Sequence, residues 1–203
     1  MLKMRTCVLN LWLAATATVA AHAQIYKLHN ADVGVAATGQ FTTPLTSDSA
    51  VIQQTTSSPG FIVTLRDHPV AWAGVEINYG YTRYSQRYTY PTSSTTSAFL
   101  SDGTSVHEAT AAYLFHPHFR HLQPFVGVGG GALGFFPTQF NNQWRGAGLV
   151  EAGLDIPTSN RHLGFRVQGR SLIYRAPNFG NPAISSRSWV ATNEPSAGVY
   201  IRF

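Results

Sequence analysis

The stretch "SAGVYIRF", residues 196–203, decides how the rest of the chain is read. In an extended strand Val199, Ile201 and Phe203 point one way, while Gly198, Tyr200 and Arg202 point the other. An apolar/polar alternation that runs into an aromatic residue predicts a closing strand where a polar tail would otherwise fray. The same alternation recurs upstream. In "AWAGVEINYGYTRY" (71–84), Val75, Ile77, Tyr79 and Tyr81 oppose Gly74, Glu76, Asn78 and Gly80. In "GAGLVEAGLDI" (146–156), Val150, Ala152, Leu154 and Ile156 oppose Glu151, Gly153 and Asp155. In "HLGFRVQGRSLIY" (162–174), Leu163, Phe165 and Val167 oppose Arg166, Gln168 and Arg170.

Eight such segments can be drawn, at 32–41, 60–66, 71–84, 107–115, 122–136, 146–156, 162–174 and 190–203. Several approach the roughly 9 to 11 residues that a tilted strand needs to cross a bilayer. Gly or Pro interrupts nearly every window long enough for a helix. The connections run long, short, long, short, long, short, long, so with both termini at one end every long loop falls at the other. That asymmetry is the one expected of a membrane barrel, and a β-sandwich has no need of it.

Bulk properties point the same way. The chain has 203 residues, enough for one domain, and only 11% of them are charged, against about a quarter in soluble domains. The formal charge of +5 is scattered singly, a poor footprint for nucleic acid. At the start, Lys3 and Arg5 precede an apolar run and the small-x-small pattern Ala21-His22-Ala23, which predicts a signal peptide over 1–23 and a mature barrel domain over 24–203. Its removal would leave a charge of about +3 and no cysteine, since Cys7 is the only one. Cys7 also lacks the context of a lipid-attachment site. A secreted, charge-poor chain with no apolar stretch long enough for a spanning helix has one membrane-spanning option left, a closed barrel.

If the outside faces lipid, the polar face is the lumen. Its ionisable members are Asp32, Glu76, Glu108, Glu151, Asp155 and Glu194 with Arg66, Arg166, Arg170 and Arg202. Both signs are present, so these groups are expected to pair across a narrow interior and occlude it, because an isolated buried charge costs several kcal/mol.

On these residues the chain resembles the small eight-stranded outer-membrane β-barrels of Gram-negative bacteria, the group that includes OmpA- and OmpX-like barrels. The resemblance covers essentially all of the mature chain. Its most specific part is the end: Ser196, Gly198, Ile201 and Phe203 match that group's C-terminal insertion pattern of polar, Gly, hydrophobic and aromatic positions. The resemblance implies recognition of this segment by the barrel-assembly machinery, placement in the bacterial outer membrane, and contact with outer-membrane lipid and lipopolysaccharide as a monomer. It also implies aromatic girdles, for which Trp72, Tyr79, Tyr81, Tyr113, Phe115, Phe125, Phe135, Phe136, Phe165 and Phe203 are candidates. "LQPFVGVGGGALGFF" (122–136) resembles a Pro-aromatic-x-Gly-x-Gly strand opening common in such barrels.

Enzymatic chemistry finds little support in the residues, so no catalytic, metal or cofactor site is assigned. His116, His118 and His121 crowd into "HPHFRH", but without a carboxylate and in a turn they are expected to be solvated. "GVGGGALG" lacks the Lys-Ser/Thr of a phosphate loop. His107 and Glu108, with serines near them, are the best candidates for a hydrolytic rim site. Polar loops bearing Tyr88, Tyr90, Phe99, Phe179 and Trp189 could carry recognition. The expected role is therefore non-enzymatic, structural or surface-binding. The alternatives are a narrow pore for small solutes and a lipid A-modifying barrel enzyme.

Overall fold

Period-two alternation persists along each strand, and most strands run further than their pattern suggests. The computed structural model describes residues 30–90, 98–117, 122–160 and 162–203. The expected signal segment, residues 91–97, His118 and His121 lie outside them. In chain order the strands are β1 (Ala31–Thr42), β2 (Leu45–Thr46), β3 (Ile52–Thr55), β4 (Ser58–Val70), β5 (Ala73–Tyr90), β6 (Ala98–Phe115), β7 (Gln123–Pro137), β8 (Gln143–Pro157), β9 (Leu163–Arg175) and β10 (Trp189–Arg202). Eight of them close a ring in the order β1, β4, β5, β6, β7, β8, β9, β10, each antiparallel to both neighbours. The short β2 and β3 form a hairpin in the first long connection, and β3 pairs with the upper part of β5.

The seam is formed by the segment that opened the sequence analysis. Val33 pairs with Ile201, Val35 with Val199 and Ala37 with Ala197, and Phe203 N–H donates to the Ala31 carbonyl at 2.9 Å. Pro195 has no N–H to give, and the seam register skips Gly39 and Gln40 opposite it. Thr38 Oγ1 donates to the Pro195 carbonyl there at 3.1 Å.

Two expectations change. The stretch 85–105, read as a polar loop, is mostly strand: β5 and β6 stay paired from Ala73↔Phe115 to Tyr90↔Ala98. Its Ser, Thr and Gly residues tolerate extended backbone, and Tyr84, Gln86 and Tyr88 keep the period of two without an apolar outer face to reveal it. Strands β7 and β8 likewise take in both ends of 137–145, so that connection shrinks to 138–142 while the one at 116–122 on the other end is longer. The connections at 43–57 and 176–188 remain the long ones, both at the end away from the termini.

Polarity is inverted relative to a soluble barrel. Ile77 (60% exposed), Val128 (62%) and Tyr113 (75%) face outward, whereas Asp32 and Arg66 are fully buried. Outward-facing Val33, Val35, Phe61, Val63, Leu65, Val126, Val150, Val167, Val199 and Ile201 continue the apolar band around the ring. So large a continuous apolar surface is incompatible with water and matches a hydrocarbon layer. Trp72, Tyr113, Phe115, Phe165 and Phe203 lie outside toward the end bearing both termini; Phe41, Phe61, Tyr81, Phe136, Trp144 and Trp189 lie outside toward the other. Phe125 and Phe135, expected in these girdles, are instead buried inside the ring at 1% exposure each. The fold is an all-β, eight-stranded, antiparallel, up-and-down transmembrane β-barrel.

Candidate functional site: the barrel interior

Each charged side chain enters the interior because it occupies the inner phase of its strand. Near the end that holds the termini, Arg166 on β9 binds Asp155 on β8 through two hydrogen bonds, Nε to Oδ1 at 2.7 Å and Nη2 to Oδ2 at 2.9 Å. Arg166 also pairs with Asp32 on β1 at 3.1 Å. Arg66 on β4 pairs with Glu76 on β5, reaches Asp155 at 3.4 Å and donates to Gln168 Oε1 at 3.2 Å. The fork of a guanidinium lets one residue serve partners on two strands.

Two aromatic rings share this layer. The Arg66 guanidinium lies 3.9 Å from the Phe125 ring centre, and that of Arg166 lies 4.7 Å from Tyr200. Room for both rings comes from inward-facing glycines: a β-carbon at Gly153 would meet the Phe125 ring, and one at Gly164 would meet Tyr200. This explains why Phe125 is not in a girdle.

Further along the axis, Arg170 on β9 pairs with Glu108 on β6, with Glu194 on β10 at 3.2 Å and with Glu151 on β8 at 3.4 Å. Thr110 Oγ1 accepts from Arg170 Nη2 at 3.0 Å, and Gln40 Nε2 donates to Glu194 at 3.1 Å. Neither Glu151 oxygen has a hydrogen-bond partner. Among the described residues these two layers thus hold six carboxylates, Asp32, Glu76, Glu108, Glu151, Asp155 and Glu194, around three guanidiniums, Arg66, Arg166 and Arg170; a further buried carboxylate, Asp102, lies toward the far end and accepts from Gln139 N–H at 3.2 Å. Arg202 stands apart from them: it is half-buried at the mouth, where Nη2 donates to Gln123 Oε1 at 3.4 Å.

Beyond these layers apolar side chains take over much of the interior, with Gln53, Gln86, Asp102 and Thr104 buried among them. Val106, Leu133, Leu149, Leu172, Val190, Phe135 and Tyr174 fill the far end of the ring. Phe179 and Ile184 from the last connection and Val51 from the first loop bury themselves on top. Phe179 and Gly180 both take positive φ (49° and 76°), and this turn leads into a short 3-10 helix (Pro182–Ile184) capped by Asn181. Phe179 and Tyr88, considered as exposed recognition aromatics, are therefore part of this inner cap.

The mouth at the opposite end is a cavity of about 250 Å³ lined by Asn30, His68, Ala71, His116, Pro117, Gln123 and Arg202. His116 is not the solvated turn residue expected: it is 8% exposed, and its ring stands edge-on to His68 at 4.7 Å between centres. Burial, together with the neighbouring His68, Arg66 and Arg166, pushes its pKa down to about 4.

His107 and Glu108, paired in the sequence as a candidate rim site, lie in the interior of β6 on opposite faces of the wall. Glu108 points at Arg170, whereas His107 points outward and hydrogen-bonds the Tyr79 hydroxyl at 2.7 Å. They form no common site. Among the described residues no group of three His, Cys, Asp or Glu is arranged to hold a metal. Ser196 and Gly198 face the interior, while Ile201 and Phe203 face outward. Gly198 packs so closely on the seam that a β-carbon there would meet the Val35 carbonyl and Ala36. Sequence reasoning passed over Gln40, Thr64 and Thr110 and placed Phe125 outside. Thr110 lies two residues from Glu108, so strand phase alone would have placed it inside, as it does Tyr200, two residues from Arg202.

No protein-family model matches the chain, and no curated protein matches it by sequence. Solved structures do. Neisserial surface protein A (NspA) aligns over 85% of this chain and 97% of its own, with 12% identity and a TM-score of 0.54. Ail, the attachment invasion locus protein of Yersinia pestis, aligns over 86% and 97% with 16% identity and a TM-score of 0.45. The N-terminal β-barrel domain of Pseudomonas aeruginosa OprF aligns over 85% and 97% with 12% identity and a TM-score of 0.44. With its ring closed at β1 and β10, its charged interior and its apolar exterior, the chain has the fold of the small eight-stranded outer-membrane β-barrels.

Proposed function

We propose that this protein resides in the bacterial outer membrane as a monomeric, non-enzymatic barrel with an occluded lumen, acting in envelope integrity or surface interaction. The observation that carries this reading is the inverted polarity: a paired charge network inside, an apolar band outside. The band is completed by two aromatic rims, which suit the two membrane interfaces. Occlusion is supported by two different fillings in series, the guanidinium–carboxylate layers and the apolar cap over them. In this reading the termini face the periplasm, and the protruding β5–β6 hairpin and the capped end face outward, against lipopolysaccharide. Exposed Arg83, just beyond outward-facing Tyr81, suits the phosphate level of that leaflet.

The closing segment has two duties in this proposal. Ser196, Gly198, Ile201 and Phe203 would present the insertion pattern to the barrel-assembly machinery as a free strand, pairing by strand addition before β1 takes its place.

Electrophoretic mobility of outer-membrane fractions, unboiled against boiled, tests the placement. A fast-migrating unboiled band is expected from the full chain and a strong reduction from a variant lacking Phe203. A soluble periplasmic product would refute it. Planar-bilayer recording tests occlusion, with no stable conductance steps expected from the purified folded protein; discrete steps would replace the plug with a narrow pore.

A further inference from the structure

We propose that the cavity at the termini-bearing mouth is a binding site for a small oxyanion, phosphate or carboxylate, held by Arg202, His116 and His68. The site adjoins the interior charge network but shares no lining residue with it, and only its periplasmic address rests on the function proposed above.

Among the described residues its lining is one-sided: of Asn30, His68, Ala71, His116, Pro117, Gln123 and Arg202, none is acidic. Two polar groups in it lack partners among the described residues. His116 is more than nine-tenths buried, yet its Nε2 makes no hydrogen bond, and Arg202 Nε is shielded from solvent without an acceptor. Arg202 Nε–H is a buried donor left unpaired, which is costly, and His116 Nε2 becomes a second donor in its Nε2–H tautomer or when the ring is protonated, so an oxygen acceptor in the space they share can satisfy both. The remaining groups are held in place. His68 Nδ1–H donates to the Asn30 carbonyl at 3.0 Å, and Arg202 is pinned through its backbone, N–H to the His162 carbonyl at 2.8 Å and carbonyl to His162 Nδ1 at 2.9 Å. Gly74 leaves room beside the two imidazoles, since a β-carbon there would lie 3.3 Å from His68 Cδ2 and 3.5 Å from His116 Nε2.

The charged groups facing His116 are Arg66 and His68 from β4, Asp155 from β8 and Arg166 from β9. Asp155, Asp32 and Glu76 are already held by the two guanidiniums, so the permanent charge on the cavity wall itself is that of Arg202. A guanidinium there opposes a metal cation on the paired imidazoles and favours an anion. A cavity of about 250 Å³ has room for an oxyanion with a few waters.

Linkage makes the site readable. An anion beside His116 must raise the pH at which that imidazole takes up a proton, because the two charges attract. The test follows the His116 ring signals by NMR through a pH titration of the folded protein in neutral detergent micelles. Sodium phosphate, acetate and chloride are compared at equal ionic strength. Phosphate or acetate is expected to raise the His116 midpoint by about one unit over chloride, which corresponds to about tenfold tighter anion binding once the ring is protonated. Arg202→Gln should abolish most of that rise, with heat-modifiable mobility confirming that the variant is still a barrel. A second arm uses phosphate-free nanodiscs of zwitterionic lipid with and without phosphatidylglycerol. A rise there without free phosphate would identify a lipid headgroup as the oxyanion source. An unchanged midpoint in every arm, an equal response to chloride, or a rise that survives Arg202→Gln would overturn the proposal. A protein that never becomes heat-modifiable would instead refute the barrel reading.

Discussion

Arg170 carries three carboxylates from three strands, and the consequences of removing either side of that arrangement differ. Arg170→Met would leave Glu108, Glu151 and Glu194 buried and facing one another, so a loss of about 3–5 kcal/mol in unfolding free energy is expected from urea titrations in micelles. Glu151→Gln should change stability by no more than about 1 kcal/mol, because neither Glu151 oxygen accepts a hydrogen bond and Arg170 keeps two partners. Equal losses from both would contradict the pairing described. His116 gives a pH dependence of definite sign. Its folded pKa of about 4 lies below the ordinary 6.5, so the unfolded chain binds the extra proton between those values. Its contribution is full above pH 6.5 and falls away as pH drops toward 4, by at most about 3 kcal/mol. The difference between wild type and His116→Gln should show that slope, and parallel curves would refute it.

At the scale of elements, glycine placement decides which strands can close. A β-carbon at Gly198 would meet the Val35 carbonyl and Ala36 across the β1–β10 seam, whereas Gly169, facing outward on β9, has nothing within 4 Å. Gly198→Val is therefore expected to cost about 3 kcal/mol or more and to lose the fast-migrating unboiled band, while Gly169→Ala should stay within about 0.5 kcal/mol of wild type. The seam already lacks the Pro195 N–H, so it has little pairing to spare. The upper halves of β5 and β6 show why element boundaries were harder to read than element identity. Above the apolar band both faces of a strand meet polar surroundings or the cap, so the outward Arg83, Ser85 and Arg87 resemble a loop in composition while the backbone remains paired.

For the molecule as a whole, the two fillings of the ring predict two separable behaviours. Phe179→Ala removes a ring buried in the cap, against Phe135 at 6.3 Å and Phe140 at 6.1 Å, without touching the charge layers. Amide exchange in 176–188 should quicken severalfold while the barrel stays heat-modifiable and the exchange of β7 and β8 mid-strand amides is unchanged. Global unfolding on that substitution would mean that the cap and barrel form one cooperative unit.

What the sequence determined by itself is what depends on strand phase: eight strands, their order and antiparallel closure, which face of each is polar, and that Phe203 ends the last strand facing outward. Phase is local, because successive side chains alternate whatever lies opposite them. The tertiary structure decided which charges meet, Arg166 with Asp155 and Asp32, Arg170 with Glu108, Glu151 and Glu194, because partnership depends on shear and register between strands far apart in the chain. It also decided that Phe125 and Phe135 turn inward, that Phe179 and Ile184 cap the ring, and that His68 and His116 share a mouth with Arg202. Each of these requires space that only the closed ring creates, and the size of that space is set jointly by glycines and side chains from every strand around it.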